Sequence, residues 1–247
     1  LTNCTFTSNS AIGGGGMFNE GGSPTLTDCT FASNSAGSRG GGMYNKDSSS
    51  PTLTNCTFAN NSAIGGGGMF NEGGSPTLTD CTFASNSAGS RGGGMFNNSS
   101  SPTLTNCTFT SNSAIERGGA IFIAENAGSQ IDNCVFSLNH AGDAGAGLCF
   151  EFSGGALNVV MTACVFTECC QNLPIGFGSD PELMNDLGWP CADCVGDVTC
   201  DAMVNAGDLG RLLSAWDTTQ QRYDLNEDGI VNAADLGLLL GAWGPCQ

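Results

Sequence analysis

A short pattern of polar and hydrophobic positions recurs along about the first two thirds of the chain. The recurring unit reads Leu-Thr-Asn/Asp-Cys-Thr-Phe-x-x-Asn and places its cysteine at positions 4, 29, 56, 81, 107, 134 and, more loosely, 164. Successive cysteines are therefore 25 to 30 residues apart. A period of this length indicates one supersecondary unit per repeat, which buries its apolar face only by stacking on its neighbours. The pattern predicts a solenoid.

The repeat is typical of β-structure rather than of α-helix. Its core is short and rich in threonine, it is bounded by Gly, Ser and Pro, and no helical apolar period runs through it. We expect one strand over residues 25–31, with a bulge or bend between Leu26 and Cys29, and a second over residues 42–45. The fold class is predicted as mainly β, a right-handed parallel β-helix.

Stacked coils align equivalent residues in columns. The asparagine three residues after each Phe is expected to pair amide to amide along the stack, which satisfies buried polar groups. The cysteines are expected to stay reduced, because parallel neighbours seldom present the torsion that a disulfide needs. The Phe column comprises Phe6, Phe31, Phe58, Phe83, Phe109, Phe136 and Phe166, and the Asn column comprises Asn9, Asn34, Asn61, Asn86, Asn112 and Asn139.

Two short motifs within the coils resemble those of the polymorphic outer-membrane protein family. They are Phe-x-x-Asn, seen at residues 109–112, and Gly-Gly-Ala/Met-Ile/Phe, seen at residues 118–121. The resemblance covers most of the repeat region, and it implies a β-helical stalk displayed at a cell surface. Such motifs support the fold better than they support an activity.

Composition narrows the choice of partner and compartment. With 6 Lys plus Arg against 23 Asp plus Glu, the formal charge is −17, and such a surface repels nucleic acid and anionic lipid. No stretch approaches the roughly 18 apolar residues of a membrane span. The 14 cysteines favour an oxidising compartment, so we expect a secreted or cell-surface protein. Because Leu1 falls inside a repeat, we expect a signal peptide and further repeats upstream.

The stalk sequence favours a spacer over an enzyme. Residues 1–45 recur at 53–97 with three substitutions, and copying whole coils does not create a unique pocket. Arg39 and Arg91 are expected to be solvated charges in glycine-rich turns, and His140 a lone surface histidine. We therefore predict a non-catalytic, adhesin-like stalk. The alternative is a carbohydrate-active β-helix enzyme, a polysaccharide lyase or hydrolase.

Outward threonines form regular ranks along the predicted stack. Such ranks can bind ice or a crystalline glycan, although threonine also simply suits an exposed strand. A polysaccharide partner is therefore left open. The ranks comprise Thr27, Thr54, Thr79 and Thr105 in one column and Thr5, Thr30, Thr57, Thr82 and Thr108 in another.

The segment 224–235 has the spacing of an EF-hand loop. Carboxylate or amide oxygens stand at loop positions one, three, five and twelve, Gly229 supplies the sharp turn, and a carbonyl and a further amide complete the set. Such hard oxygen ligands select Ca²⁺. The predicted ligands are Asp224, Asn226, Asp228, Ile230, Asn232 and Asp235.

A degraded copy of this loop precedes it, with Ala202 at the turn position. Each loop continues into a matching helical sequence, residues 206–216 and 233–243, and these duplicated units resemble a type I dockerin. The resemblance implies bound Ca²⁺ and a cohesin-like protein or cell-surface receptor as partner. Ala and Gly occupy loop positions ten and eleven, where dockerins often carry hydroxyl groups for recognition. The predicted ligands of the first loop are Asp197, Thr199, Asp201, Asn205 and Asp208.

The sequence therefore predicts three segments. Residues 1–170 form the β-helix, residues 171–190 a cap and linker, and residues 191–247 a small all-α, dockerin-like calcium-binding domain. Its short, glycine-rich helices are expected to need the metal in order to fold. Two groups of cysteines are candidates for disulfides. Cys149, Cys169 and Cys170 could cross-link the cap in a pairing that the sequence does not decide, and Cys191 or Cys194 could pair with Cys246.

Overall fold

The structure is a computed structural model that describes residues 1–124, 127–142, 145–150, 158–167, 203–204, 206–214, 216–217, 225–226 and 228–245. The chain divides into two compact units, Leu1–Gly188 and Trp189–Gln247. The first unit is a parallel β-solenoid of about six turns. The predicted cap and linker, residues 171–190, lies outside the described residues.

Each coil of the solenoid contributes one strand to each of four parallel sheets, named here after a residue of their strands. The Phe sheet comprises β1 (Thr5–Thr7), β5 (Thr30–Ala32), β9 (Thr57–Ala59), β13 (Thr82–Ala84), β17 (Thr108–Thr110), β21 (Val135–Ser137) and β25 (Val165–Thr167). The Ser sheet comprises β2 (Ser10–Gly13), β6 (Ser35–Arg39), β10 (Ser62–Gly65), β14 (Ser87–Arg91), β18 (Ser113–Ala114) and β22 (His140–Ala141). The Met sheet comprises β3 (Met17–Glu20), β7 (Met43–Lys46), β11 (Met69–Glu72), β15 (Met95–Asn98), β19 (Ile121–Ile123) and β23 (Leu148–Phe150). The Leu sheet comprises β4 (Thr25–Thr27), β8 (Thr52–Thr54), β12 (Thr77–Thr79), β16 (Thr103–Thr105), β20 (Gly128–Asp132) and β24 (Asn158–Thr162).

The coil contains four strands where the sequence predicts two. The segment expected to form one bulged strand is two strands of different sheets, β4 and β5, because the chain turns at Asp28 with φ 55°. Asn and Asp adopt this left-handed conformation more readily than most residues, which explains why they recur at this corner. At the opposite corner Gly40 has φ 65°, and a Cβ there would lie 2.3 Å from the carbonyl oxygen of Met43. That corner therefore requires glycine.

The predicted Phe column is confirmed. From Phe6 to Phe136, consecutive ring centroids are 4.7 to 5.2 Å apart and consecutive ring planes lie within 9° of each other. The rings from Phe31 to Phe136 are fully buried, as are the leucines from Leu26 to Leu104 on the Leu sheet and the methionines from Met43 to Met95 on the Met sheet. The rings therefore form one nearly parallel stack through the core.

The predicted asparagine ladder is also confirmed. Asn61 is representative: its Oδ1 accepts hydrogen bonds from the backbone N and from Nδ2 of Asn34, each 3.0 Å long. Its Nδ2 donates to the carbonyl oxygen of Phe31 and to Oδ1 of Asn86, both at 2.9 Å. The ladder thus saturates every amide in its interior, as buried polar groups require.

The seven column cysteines from Cys4 to Cys164 are free thiols, as predicted. Hydrogen bonding to the neighbouring thiol, together with burial, raises the pKa of Cys56 and Cys107 above that of an ordinary thiol. The column packs as small apolar residues, and Cys56 and Cys107 are poor nucleophiles. The proposed pairings with Cys169, Cys170, Cys191, Cys194 and Cys246 lie outside the described residues and stay predictions.

A second asparagine ladder, which sequence reasoning missed, runs through the Met sheet. Asn19, Asn45, Asn71 and Asn97 are in register, and each Nδ2 donates to the next Oδ1 at 2.7 to 2.8 Å. The next coil places Ile123 opposite Asn97, so the fully buried Nδ2 of Asn97 has no hydrogen-bond partner among the described residues. The recurrent Met-Phe/Tyr-Asn triplet was the available signal, since Asn follows Met at the spacing of one strand face.

In the second unit, two nine-residue helices pack around a small core. Helix α1 (Ala206–Ser214) and helix α2 (Ala233–Gly241) match the predicted helical segments. Their core pairs Leu212 and Leu239 with Val204 and Val231, which hold equivalent places in the two loops. Strand β26 (Met203–Val204) pairs antiparallel with β27 (Gly244–Pro245), which joins the module's last residues to its first loop. Among the described residues, no helix is both long and apolar enough to cross a membrane.

Candidate metal centre

The buried carboxylate of Asp235 organises the second loop. Its Oδ1 accepts hydrogen bonds from the backbone N of Leu225 at 2.6 Å and of Asn226 at 3.1 Å, and its Oδ2 accepts one from the N of Asn232 at 2.7 Å. Asp235 is fully buried. One acidic side chain in the first turn of α2 therefore fixes the beginning and the end of the loop, and its charge also suits the helix N-terminus.

Asn232 is the N-cap of α2, a role that the sequence analysis did not assign to it. Its Oδ1 accepts a hydrogen bond of 2.8 Å from the N of Ala234. In turn, the backbone N of Asn232 donates a hydrogen bond to the carboxylate of Asp235. This reciprocal arrangement is a capping box. The N-cap fixes the position of Asn232 at the rim of the loop, where the sequence predicts a direct or water-mediated ligand.

The polar groups on the exposed side of the loop point toward the carboxylate of Asp228. It accepts hydrogen bonds from Nδ2 of Asn226 at 2.9 Å and from the N of Ile230 at 3.1 Å, and Nδ2 of Asn232 lies 3.3 Å away. The bond from Asn226, then that from Ile230, lowers the pKa of Asp228 below its ordinary value. The group is therefore ionised at neutral pH.

The residues present fit a hard cation. Asn226, Asp228 and Asn232 direct polar groups to one exposed region, and a cation there would take carboxylate and amide oxygens where N–H groups now donate. Gly229 turns the chain with φ 94°, as the loop requires. Five predicted ligands of this loop are described, whereas Asp224, the side chain of Asp208 and the other predicted ligands of the first loop are not; these are Asp197, Thr199, Asp201 and Asn205.

In the first unit, Arg39 is exposed, as the sequence suggests, and it is also part of a cross-coil cluster that the sequence did not predict. Its Nη1 donates to Oε2 of Glu72 at 2.8 Å and to the Tyr44 hydroxyl at 3.1 Å, and Tyr44 also bonds Glu72. Its guanidinium lies 5.1 Å from the ring centroid of Phe70. Burial, followed by the bond to Glu72, raises the pKa of Tyr44, so this phenol stays protonated at neutral pH.

Arg91 repeats this arrangement two coils later. It lies 5.0 Å from the ring centroid of Phe122, and its Nε is 3.3 Å from Oε2 of Glu116. His140 is exposed on the Ser sheet, in register with Ser113. In the part of the chain that the structure describes, no group of three or more His, Cys, Asp or Glu side chains is placed to hold a metal ion.

Removing the Arg39 cluster is expected to have a small effect. We expect Arg39→Ala to lower the free energy of unfolding by about 1 kcal/mol, because partly exposed ion pairs and cation–π contacts each contribute little. Far-UV circular dichroism during urea unfolding measures this loss. Arg91→Ala serves as the matched variant, and high salt should shrink both effects. A loss of several kcal/mol would show that the cluster holds the coils together.

The threonine ranks exist as predicted, with Thr27, Thr54, Thr79 and Thr105 in register on the Leu sheet and Thr5, Thr30, Thr57, Thr82 and Thr108 in register on the Phe sheet. The structure adds a further rank at Thr25, Thr52, Thr77 and Thr103, and Gln130 and Asp132 interrupt both ranks of the Leu sheet in the fifth coil. On the Leu sheet the uninterrupted Thr array therefore extends over four coils.

Comparison with known families assigns both parts of the chain. The model described as the right handed beta helix region matches residues 1–181, and the model of the dockerin type I domain matches residues 195–240. No curated protein and no solved structure matches the chain significantly.

Proposed function

Because this chain belongs to the right-handed β-helix family and carries a type I dockerin domain, we propose that it is a non-catalytic extracellular stalk. Its dockerin domain joins the stalk to a cohesin-like partner in a calcium-dependent manner. The single observation that carries the proposal is the repeated loop–helix unit, in which Val204 and Leu212 of one unit pack with Val231 and Leu239 of the other.

The second loop supports calcium as the cofactor. Type I dockerin domains are calcium-binding, and the ion would cross-link loop residues that are otherwise held by hydrogen bonds. In this chain Asn226, Asp228 and Asn232 would supply side-chain oxygens, Ile230 its carbonyl, and Asp235 a carboxylate at the helix start. Asp224 and the ligands of the first loop, Asp197, Thr199, Asp201, Asn205 and Asp208, complete the proposed sets.

The surface of the second helix supports a partner with an apolar face. Dockerin domains bind cohesins, and Ala233 and Ala234 are both exposed at the beginning of α2. Leu238 and Leu240 are 41 % and 51 % exposed further along the helix. Side chains without hydroxyl groups select a partner by shape and apolar contact, so we propose a cohesin-like protein whose contact surface is mainly apolar.

The contacts made by the two arginines of the Ser sheet support a non-catalytic stalk. Arg39 and Arg91 each stack on a ring of the Met sheet and pair with a glutamate, so neither projects into a groove as a free base. The duplication of residues 1–45 repeats the same surface. The competing function is a polysaccharide-degrading enzyme, which many β-helix domains are.

The proposal predicts calcium-dependent capture by purified type I cohesin domains. With the full chain immobilised, binding of at least one member of a cohesin panel is expected in millimolar Ca²⁺ and should be lost in chelator, since the loops shape the docking helices. Biolayer interferometry measures both states. A panel of neutral and acidic polysaccharides, incubated with the same preparation, should yield no new reducing or unsaturated ends.

Two results would contradict this proposal in different ways. If capture persists unchanged in chelator, docking does not depend on calcium. If the preparation releases saccharide ends robustly, and this activity is retained after repeated purification, the chain is an enzyme delivered by its dockerin. The variant Asp228→Asn provides the control for capture, because it removes a loop charge and leaves the stalk unchanged.

A further inference from the structure

The second loop has an exposed middle between anchored sides. Asn226, Asp228 and Ile230, named here the tip, are exposed. Leu225 and Val231, on either side of the tip, pack into the core of the second unit, and Val231 is fully buried. The sides of the loop are therefore anchored by apolar contacts that involve no ion, whereas the tip can rearrange around one.

Backbone hydrogen bonds to Asp235 join the two sides of the tip. The N–H groups of Leu225 and Asn226, on one side, donate to Oδ1 of Asp235 at 2.6 and 3.1 Å. The N–H group of Asn232, on the other side, donates to Oδ2 at 2.7 Å. One carboxylate in the first turn of α2 thus ties the loop shut through protein groups alone.

The carboxylate of Asp235 needs no cation as a partner. It is fully buried, and a buried carboxylate is costly unless hydrogen bonds or an opposite charge compensate it. Three N–H groups of the loop supply that compensation, and the N-terminus of α2 adds its positive end. A carboxylate offers about four lone-pair positions, so three bonds leave one for an ion. Closure of the loop and contact with calcium are therefore compatible at this side chain.

Asp228 differs from Asp235 in its exposure and in its partners. It lies in the exposed tip, and it accepts hydrogen bonds from Nδ2 of Asn226 and from the N of Ile230, which belong to the tip as well. These bonds hold the tip together and do not join its two sides. The two aspartates are predicted ligands of the same ion, so they form a matched pair in which only Asp235 closes the loop.

We propose that Asp235 is a positioning residue that closes the second loop before calcium arrives, so that the ion enters a preformed site. This inference rests on the proposed calcium binding of the loop and names the residue that prepares it. Calcium then rearranges only the tip, where amide N–H groups now donate to Asp228. Because the sides are already joined, the entropy of ordering them is not lost when the ion binds, which is the general advantage of preorganisation.

Amide hydrogen exchange of the full chain in chelator tests the proposal, because no calcium is present to close the loop. The amides of Leu225, Asn226 and Asn232 are expected to exchange at least about tenfold more slowly than in an unstructured chain. In Asp235→Asn their exchange should accelerate about tenfold or more, since an amide Nδ2 cannot accept the bonds that a carboxylate oxygen accepts. The amide of Leu239 in α2 reports whether the helix itself stays folded.

Asp228→Asn is the matched control, because it makes the same chemical change within the same loop. Exchange of the three amides in chelator should stay within about twofold of wild type, since the bonds of Asp228 stay within the tip. If both variants accelerate exchange equally, any lost charge loosens the loop and the proposal fails.

The kinetics of calcium binding provide a second readout, on the wild-type chain. In stopped-flow tryptophan fluorescence, the observed rate should rise in proportion to the calcium concentration, because no closing step limits binding to a preformed loop. In Asp235→Asn the rate should level off at high calcium, since the loop must first close. A rate that levels off in wild type would show that closure limits binding there too, and the proposal would be wrong.

Wild type decides the proposal even if Asp235→Asn does not fold. If the amides of Leu225, Asn226 and Asn232 are unprotected in chelator, with or without protection of Leu239, then calcium itself closes the loop and the proposal fails. The exchange measurement contains no calcium, so its outcome is distinct from that of the capture experiment, which tests the proposed function in calcium and in chelator.

Discussion

Replacing Asn61 with leucine is expected to lower the free energy of unfolding of the stalk by about 3 to 6 kcal/mol. The substitution leaves the backbone N and Nδ2 of Asn34 without their acceptor and the carbonyl oxygen of Phe31 without its side-chain donor. Each buried polar group that loses its partner costs about 1 to 3 kcal/mol, because no water replaces the lost bond. Denaturation in urea, followed by far-UV circular dichroism, measures the loss.

Asn9→Leu is the matched control for this substitution. Asn9 occupies the same column at its exposed first coil and makes the same bond to Asn34, but nothing precedes it in the described stack. Its loss is expected to cost about 1 kcal/mol or less, since water can replace the partner there. Equal losses for the two variants would mean that leucine strains the turn and that the ladder itself contributes nothing.

The sequence could predict the columns because, in a solenoid, the spacing of the repeat determines which residues stack on one another. Once the cysteine spacing is known, Phe31 must stack on Phe58 and Asn34 on Asn61, whatever the shape of the coil. Both columns form as expected. The same logic would have found the second ladder from Asn19 to Asn97, had the Met-Phe/Tyr-Asn triplet been followed as a column of its own.

The shape of the coil depends on backbone conformations that residue types only suggest. The step from β4 to β5 rests on φ 55° at Asp28, and the same residue type is common within bulges and loops. The sequence offered no means of separating a bulge from a corner. Strand number and sheet number were therefore underestimated, although the side chains of Leu26, Cys29 and Phe31 all lie in the core.

The contacts of charged side chains were the least predictable. Arg39 lies in a glycine-rich turn, and its sequence neighbours give no hint of Glu72, which is one coil further along the stack. A long side chain that crosses between coils has several partners within reach, and only the packing selects one. In the second loop, by contrast, Asp235 and Asn232 were identified as functional positions, but their capping bonds were not.

The second unit has a small hydrophobic core for its length. We therefore expect bound metal to contribute a large part of its free energy of unfolding. The fully buried hydrophobic residues described there are Val204, Leu212, Val231 and Leu239. Helices of nine residues are marginal by themselves, and the loop before α2 is held by bonds to a single buried carboxylate. An ion that binds the folded loops but not the unfolded chain shifts the equilibrium by mass action.

Saturating Ca²⁺ is therefore expected to stabilise the module by about 3 to 4 kcal/mol, the gain for an ion at 100 to 1,000 times its dissociation constant. All three tryptophans lie in the second unit, so tryptophan fluorescence during thermal unfolding reports this module while circular dichroism reports mainly the stalk. Chelator should lower the fluorescence transition and leave the stalk transition in place.

Asp228→Asn should weaken calcium binding of the full chain at least about tenfold in isothermal titration, because a carboxylate ligand outweighs an amide for a hard cation. The exposed Asp217, outside both loops, supplies the matched change Asp217→Asn, which should leave the affinity within about twofold. In chelator the two variants should unfold alike, since Asp228 is exposed and its bonds are local. If the two variants bind calcium with equal affinity, or if chelator does not change the fluorescence transition, then the second loop does not bind the ion. Docking would then not depend on calcium through this loop.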